Sequence, residues 1–313
     1  MKNLDTSEKL AAGDQAPTAA LAALPTEGRN PASEQIDRLP TLEMLALIHR
    51  EDQTVALAVE RELPNIARAV DAIAERFERG GRLFYIGAGT SGRLGVLDAS
   101  ECPPTFSVPP TLVQGLIAGG DAALRNSSEH SEDSPEQGAT DLAPHNLGPA
   151  DTLVGIAASG RTPYVLGAME HARSRGALII ALSCVPNSAM AQAAEIAITP
   201  ATGPEILTGS TRMKAGTATK LVLNMLSTGI MIRTGAVYGN LMVNVRPTNA
   251  KLVDRAQRIL MAATGCDRPT ATELLQAAGS VKTAIVMQKL GLDRAAAESK
   301  LAATKGNLRL ALD

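Results

Sequence analysis

Five short apolar runs, each followed by Gly, Ser or Pro, constrain the fold of this chain more than any other feature. The runs cover residues 82–86, 112–117, 152–157, 178–183 and 195–199. Helix-length segments separate most of them, which is typical of alternating strands and helices. Parallel strands need such crossovers, so the sequence predicts an α/β fold: a five-stranded, mostly parallel sheet with helices on both faces.

Helical patterns flank these runs on both sides. Apolar residues recur three and four apart in residues 41–79, where Pro64 predicts the start of a second helix. A long apolar helix is predicted at about 209–232. Further helices are predicted at about 249–263, 269–278, 280–290 and 294–304. We therefore expect three parts: a loosely ordered leader at 1–25, an α/β domain at 26–245 and a small all-helical bundle at 246–313.

The charge balance argues against nucleic acid and anionic membranes as partners. The 30 Lys and Arg residues against 32 Asp and Glu residues give a net charge of −2, which supplies no field for nucleic acid or an anionic membrane. No segment reaches the roughly 20 apolar residues that a membrane-spanning helix needs. We expect a cytoplasmic protein that binds neither nucleic acid nor membranes.

The cysteines and histidines show no metal-ligand spacing. Cys102, Cys184 and Cys266 are far apart and odd in number, which argues against a disulfide framework and fits a reducing cytosol. The four histidines form no H-x-x-x-H pair. We expect neither a metal nor another cofactor.

Two glycine- and hydroxyl-rich turns follow the first and third runs. Residues 87–92 read Gly-Ala-Gly-Thr-Ser-Gly, and residues 158–162 read Ala-Ser-Gly-Arg-Thr. A dinucleotide site also needs an acidic residue about 20 positions later, yet residues 105–118 contain no Asp or Glu. Hydroxyls, backbone N–H groups and helix N-termini are instead what a phosphate monoester needs. The predicted sugar-phosphate ligands are Thr90, Ser91, Ser159, Gly160, Arg161 and Thr162.

Other interpretations of these turns remain open. The hydroxyls could simply cap the helices that follow, and Arg93 could add charge or lie in solvent. A third segment, residues 209–214, opens the long helix and adds Ser210 and Lys214 as candidate ligands. Ser210 is equally a candidate N-cap, and Lys214 could face solvent.

Longer blocks of sequence resemble a known family. These blocks are Gly-Ala-Gly-Thr-Ser-Gly-Arg-Leu-Gly at 87–95, Leu-Asp-Ala-Ser-Glu-Cys-Pro-Pro-Thr at 97–105, Glu-Asp-Ser at 132–134, Gly-Ile-Ala-Ala-Ser-Gly-Arg-Thr-Pro-Tyr at 155–164 and Thr-Gly-Ser-Thr-Arg-Met-Lys-Ala-Gly-Thr at 208–217. They resemble the N-acetylmuramic acid 6-phosphate etherases, a family with the sugar isomerase (SIS) domain. The resemblance runs from Thr26 to near the C-terminus.

The resemblance implies a lyase that cleaves the D-lactyl ether of N-acetylmuramic acid 6-phosphate during cell-wall recycling. It implies a homodimer with its site near the subunit interface. It also implies that Glu101 is the general acid and Glu132 the general base. Glu129, one helical turn away, is an alternative base, and His130 could tune it.

The chemistry fits these two glutamates. Ether elimination needs one carboxyl group that is protonated and one that is ionised. Glu101 is followed by Cys102-Pro-Pro104, so we expect an apolar, rigid setting that keeps it protonated. Glu132 lies in the polar stretch 127–134, where solvation favours the ionised base. Either residue could instead be an ordinary surface glutamate.

Three other functions share the predicted fold. A non-catalytic sugar-phosphate sensor like the glucokinase regulatory protein would bind without turnover. A transcriptional sensor would need a basic helix-turn-helix, which the sequence lacks. An aldose–ketose isomerase would need only one carboxylate and would release no lactate. The presence of both glutamates favours the lyase.

Overall fold

A computed structural model describes residues 25–126 and 130–313. Residues 1–24 of the expected leader and the alternative base Glu129 lie outside the described residues. Two helices come first, α1 (Thr41–Glu60) and α2 (Leu63–Glu78). Pro64 lies in the first turn of α2, which confirms the predicted start of a second helix there.

An α/β unit follows. It contains β1 (Leu83–Gly87), α3 (Gly89–Phe106), β2 (Val113–Ile117), α4 (Pro135–Leu142), β3 (Thr152–Ile156), α5 (Pro163–Ser174), β4 (Leu178–Leu182), α6 (Ala189–Gln192) and β5 (Ile196–Ile198). The strand order is β2-β1-β3-β4-β5, and every neighbouring pair is parallel. The predicted five-stranded sheet is confirmed, and each strand lies within its predicted run or extends it by one residue.

The two faces of the sheet carry separate apolar cores. Leu83 and Tyr85 of β1 point into the core that α2, α3 and the later helix α7 (Lys214–Arg233) cover. Phe84 and Ile86 point the other way, into the core covered by α4 and α5. This alternation follows from the two-residue period of a strand. The prediction of helices on both faces is therefore confirmed.

Helix α7 begins later than the sequence predicts. It runs from Lys214 to Arg233, whereas the apolar pattern predicts a start at about 209. Ser210 is not its N-cap, since that position belongs to Met213. The backbone N–H groups of Lys214 and Ala215 instead donate to the buried carboxylate of Glu205, at 2.9 Å each. A carboxylate from the preceding loop fixes the start of this helix.

The C-terminal region is helical, as predicted. It contains α8 (Ala250–Thr264), α9 (Arg268–Ala278), α10 (Val281–Leu290), α11 (Arg294–Ala303) and α12 (Leu308–Leu312). Gly265, Gly279 and Gly291 end α8, α9 and α10 in left-handed conformations. These helices share a third apolar core, to which Val243 and Val245 also contribute. The division into domains at residue 245 stays a prediction.

Candidate functional site

The two hydroxyl-rich turns lie side by side. Strand β1 pairs with β3 in parallel, with Gly87 opposite Ile156 at their carboxyl ends. The turns that follow these strands therefore leave the sheet at the same edge. In open parallel sheets this edge is where ligands bind, at the point where the strand order reverses. The two turns thus belong to neighbouring strands of the sheet.

The hydroxyls in these turns do not cap the helices. Ala88 occupies the N-cap position of α3, and Thr162, at the N-cap of α5, makes no side-chain capping hydrogen bond. Among the described residues, the half-buried hydroxyls of Thr90, Ser91 and Ser159 have no hydrogen-bond partner either. The interpretation as simple helix caps therefore has no support here. The turns offer several hydroxyls and the first-turn N–H groups of α3 and α5 at one edge.

Glycine is required at two positions in these turns. Gly89 has φ +51° and Gly160 has φ +67°, backbone conformations that residues other than glycine rarely adopt. At Gly160 a Cβ atom would also lie 2.2 Å from Ser188 Oγ. The second turn therefore packs directly on the segment after β4, where Ser183 and Ser188 are hydrogen-bonded at 3.1 Å.

The first turn of α7 lies next to the turn after β1. A Cβ atom on Gly216 would lie 3.6 Å from Thr90 Cγ2, which places the third predicted segment beside the first. Ser210 is half-buried, and its hydroxyl makes no hydrogen bond to a described residue. The structure thus places the first turn of α7 beside Thr90, while Ser159–Thr162 follows the neighbouring strand.

Lys214 is placed differently from both interpretations of the sequence. Its side chain is 3% exposed, and Nζ lies 2.8 Å from Glu51 Oε2. The hydrogen bond from Lys214 is the largest cause that lowers the pKa of Glu51, and the Asn30 amide also donates to that carboxylate at 2.8 Å. The Lys214 ammonium therefore neither faces solvent nor stands free for a ligand. Glu51 is 163 positions away, so no local pattern could have indicated this pair.

The two arginines of the turns also differ. Arg93 donates to the carbonyl oxygens of Ala123 and Leu124, at 2.7 and 3.1 Å. It therefore holds the turn after β2 rather than lying in solvent. Arg161 is exposed at the sheet edge, where it could contact an anion.

Glu101 lies on the outer side of α3, and its side chain is exposed. The expected apolar setting is wrong for the single chain, because Cys102 turns into the core while Glu101 turns away from it. Glu101 lines a cavity of about 170 Å³ between α3 and α7, together with Lys220 and Asn224.

Asp98 is a buried residue of this region that the sequence did not single out as functional. Its carboxylate accepts hydrogen bonds from Tyr85 Oη (3.1 Å), Asn224 Nδ2 (2.8 Å) and Ser227 Oγ (3.1 Å). Burial raises the pKa of Asp98, and these hydrogen bonds oppose that effect. Asp98 thereby ties α3 to β1 and α7, one helical turn before Glu101.

Glu132 is exposed and lies in a short helical turn, His130–Glu132, that packs against α5. Its neighbours Ser131 and Ser134 line a cavity of about 630 Å³ with residues from the carboxyl end of β2, including Ile117 and Gly119. Gly119 and Gly120 of this cavity follow β2 at the carboxyl edge of the sheet, although none of the phosphate-binding candidates lines the cavity. The polar surroundings that the sequence predicts for Glu132 agree with this position.

Within one chain the two glutamates are separated by the sheet. Glu101 belongs to α3, which covers one apolar core, and the turn of Glu132 packs on α5, which covers the other. Thr90 and Glu101 are also eleven positions apart in the same helix, a rise of about 17 Å. One chain therefore does not bring Glu101 to the predicted phosphate site.

Between residues 25–126 and 130–313, no group of three or more His, Cys, Asp and Glu side chains is arranged to hold a metal ion. In the same part of the chain, every helix is too short or too polar to cross a membrane. That the protein needs no cofactor stays a prediction.

Known proteins resemble this chain over nearly its whole length. An N-acetylmuramic acid 6-phosphate etherase from Aliivibrio fischeri is 61% identical over 293 residues, which covers 93% of this chain and 98% of that protein. The chain belongs to the N-acetylmuramic acid 6-phosphate etherase family. Etherases from Aeromonas hydrophila and Klebsiella aerogenes are 61% and 57% identical, over 91% and 93% of this chain and 96% and 98% of their own lengths.

Two domain families match parts of this etherase-family chain. Residues 65–173 match the glucokinase regulatory protein N-terminal SIS domain, and residues 132–228 match the SIS domain. Together they cover the sheet, both hydroxyl-rich turns and most of α7. The resemblance that the sequence blocks indicate is confirmed.

Proposed function

We propose that this chain is a carbon–oxygen lyase that cleaves the D-lactyl ether of N-acetylmuramic acid 6-phosphate, giving N-acetylglucosamine 6-phosphate and D-lactate. The identity with curated etherases over 93% of the chain supports the substrate. One structural observation supports the proposal that the chain binds the phosphate group of this substrate. The hydroxyls of Thr90, Ser91 and Ser159, which have no hydrogen-bond partner among the described residues, follow adjacent strands at the edge where ligands bind.

Elimination explains how an unreactive ether is cleaved. The open-chain sugar is an aldehyde, which acidifies the proton on C2. We propose that Glu132 removes this proton and that Glu101 donates a proton to the ether oxygen as the C3–O bond breaks. The lactate keeps that oxygen. Water then adds across the C2=C3 double bond: its hydroxyl goes to C3, and C2 regains a proton. Acid–base catalysis of this kind requires two carboxyl groups in opposite protonation states.

We further propose a homodimer in which each site uses both chains. A phosphate held at Thr90 leaves the Glu101 of the same chain about 17 Å away along α3. Glu101 is exposed, and its neighbour Leu97 is 50% exposed, so this face of α3 can meet a second copy. In such a dimer, Glu132 acts beside the phosphate of its own chain and Glu101 comes from the partner subunit.

We place this reaction in the cytoplasm, in the recycling of cell-wall sugars. The substrate is a phosphorylated amino sugar that derives from peptidoglycan. Cys102, Cys184 and Cys266 are free thiols, as is usual in a reducing compartment.

Release of D-lactate tests the lyase. Purified chain is incubated with N-acetylmuramic acid 6-phosphate in excess EDTA, beside Glu101→Gln, Glu132→Gln and the control Glu170→Gln on the exposed side of α5. Loss of an acid or a base lowers the rate by roughly 10²- to 10⁴-fold, while the control keeps full activity. A wild type that binds the sugar phosphate and releases no lactate would instead be a non-catalytic sensor of the same fold.

A further inference from the structure

Helices α3 and α7 enclose a small cavity beside Glu101. Its volume is about 170 Å³, and its walls are Leu94, Leu97, Asp98 and Glu101 from α3 with Lys220, Leu223 and Asn224 from α7. Sites that enclose a whole drug-sized ligand measure about 300–1,000 Å³. This cavity therefore fits a fragment of a substrate and not a complete sugar phosphate.

Lys220 is the cation of this cavity. Its side chain is exposed, and its ammonium makes no hydrogen bond or ion pair with any described residue. Lys220 and Asn224 are four positions apart in α7, so they share one helix face. Asn224 is already engaged, because its amide donates to Asp98. The N–H groups of the Lys220 ammonium are therefore available to donate hydrogen bonds to a ligand.

Two carboxyl groups, Asp98 and Glu101, line this cavity. An anionic ligand can therefore bind there only if a cation offsets their charge. Tyr85, Asn224 and Ser227 all donate to Asp98, so these donors are already engaged and do not serve an anionic ligand. A carboxylate that enters beside Asp98 and Glu101 would meet acidic groups on the α3 side. Burial is the largest effect on the pKa of Asp98 and raises it, and the positive charge of Lys220 is one of the effects that lower it. The charge of Lys220 therefore acts on groups inside the cavity.

The ligand that meets these conditions is part of the proposed substrate. The lactyl group of N-acetylmuramic acid carries a methyl and a carboxylate on the carbon bonded to the ether oxygen. If Glu101 protonates that oxygen, the carboxylate must lie within a few bond lengths of Glu101. Resting on the proposed lyase function, we propose that Lys220 binds the lactyl carboxylate and determines specificity for the acid-bearing ether. The leucines of the cavity contact the lactyl methyl.

The test compares the natural substrate with its lactyl carboxamide, in which the carboxylate charge is removed and the shape is kept. The full-length wild type should turn over the carboxylate with a kcat/KM roughly 10- to 100-fold above that of the amide, the range of one charge-assisted hydrogen bond. In Lys220→Met this preference should fall to nearly one. Lys220→Arg should keep most of it, because the positive charge remains.

Two controls separate this role from a structural one. Lys289→Met removes an exposed lysine of α10 and should leave the preference at its wild-type value. Binding of N-acetylglucosamine 6-phosphate, which lacks the lactyl group, should have the same Kd in wild type and Lys220→Met. An unchanged carboxylate preference in Lys220→Met would overturn the proposal. A wild type that releases no lactate from either compound would contradict the lyase function itself, so the two failures are distinguishable.

Discussion

At the scale of single residues, the buried carboxylate of Glu205 determines where helix α7 begins beside the candidate site. Glu205 is 1% exposed and accepts the N–H groups of Lys214 and Ala215. It thereby occupies the N-terminus of α7, a position that would otherwise attract a phosphate. The phosphate-binding candidates that remain follow the carboxyl ends of β1 and β3.

Replacement of Glu205 tests this role. Glu205→Ala leaves two buried N–H groups without acceptors, so we expect the free energy of unfolding to fall by about 2–4 kcal/mol. Urea denaturation measures the change. Glu43→Ala, an exposed acidic residue in the first turn of α1, is the matched control and should change stability by about 0.5 kcal/mol or less. Equal effects of the two variants would show that the Glu205 contacts do not stabilise the start of α7.

At the scale of elements, the sequence predicts the strands and most helices well because their signals are local. Each strand is an apolar run of a few residues, and Pro64 and Gly265 mark helix ends by their own backbone preferences. The start of α7 was predicted wrongly because its cap, Glu205, comes from a separate loop and carries no N-cap pattern. The expected apolar setting of Glu101 was wrong for a similar reason, since the side of α3 that packs inward depends on distant partners.

The junction between the α/β unit and the C-terminal helices contains another element that sequence patterns do not reveal. Lys282, in α10, donates to the carbonyl oxygens of Gly235 and Gly306, at 2.9 and 2.6 Å. It thus links the end of α7 to the segment before α12. Burial lowers the pKa of Lys282 to about 8, from 10.5.

This shift predicts a pH dependence of stability. Between pH 8 and 10.5 the unfolded chain holds a proton on Lys282 that the folded chain has released. The contribution of Lys282 to the free energy of unfolding therefore rises with pH in this window. Urea denaturation at several pH values should show wild type gaining stability relative to Lys282→Met as pH increases. Lys282→Arg keeps hydrogen-bond donors but cannot lose its proton, so the gain should also appear relative to this variant. A pH-independent difference would contradict the assignment.

At the scale of the whole molecule, each proposed active site needs residues from two chains. The family blocks in the sequence indicated Glu101 and Glu132 but not their arrangement. That arrangement follows from the fold, because α3 and α5 cover opposite faces of the sheet and Glu101 lies eleven positions along α3 from Thr90. The dimer that we propose, which joins Glu101 of one copy to Glu132 of the other, would bring both glutamates to one site.

The most direct measurement is the activity of a mixed dimer. Glu101→Gln and Glu132→Gln chains with different tags are co-expressed, and dimers that carry both tags are isolated by two affinity steps. If each site takes Glu101 from one chain and Glu132 from the other, one site holds both wild-type glutamates and the second holds neither. We predict D-lactate release at about half the wild-type rate per dimer, although each variant alone is slower by roughly 10²- to 10⁴-fold. Mixed dimers as slow as the single variants would contradict the shared site and place both glutamates within one chain.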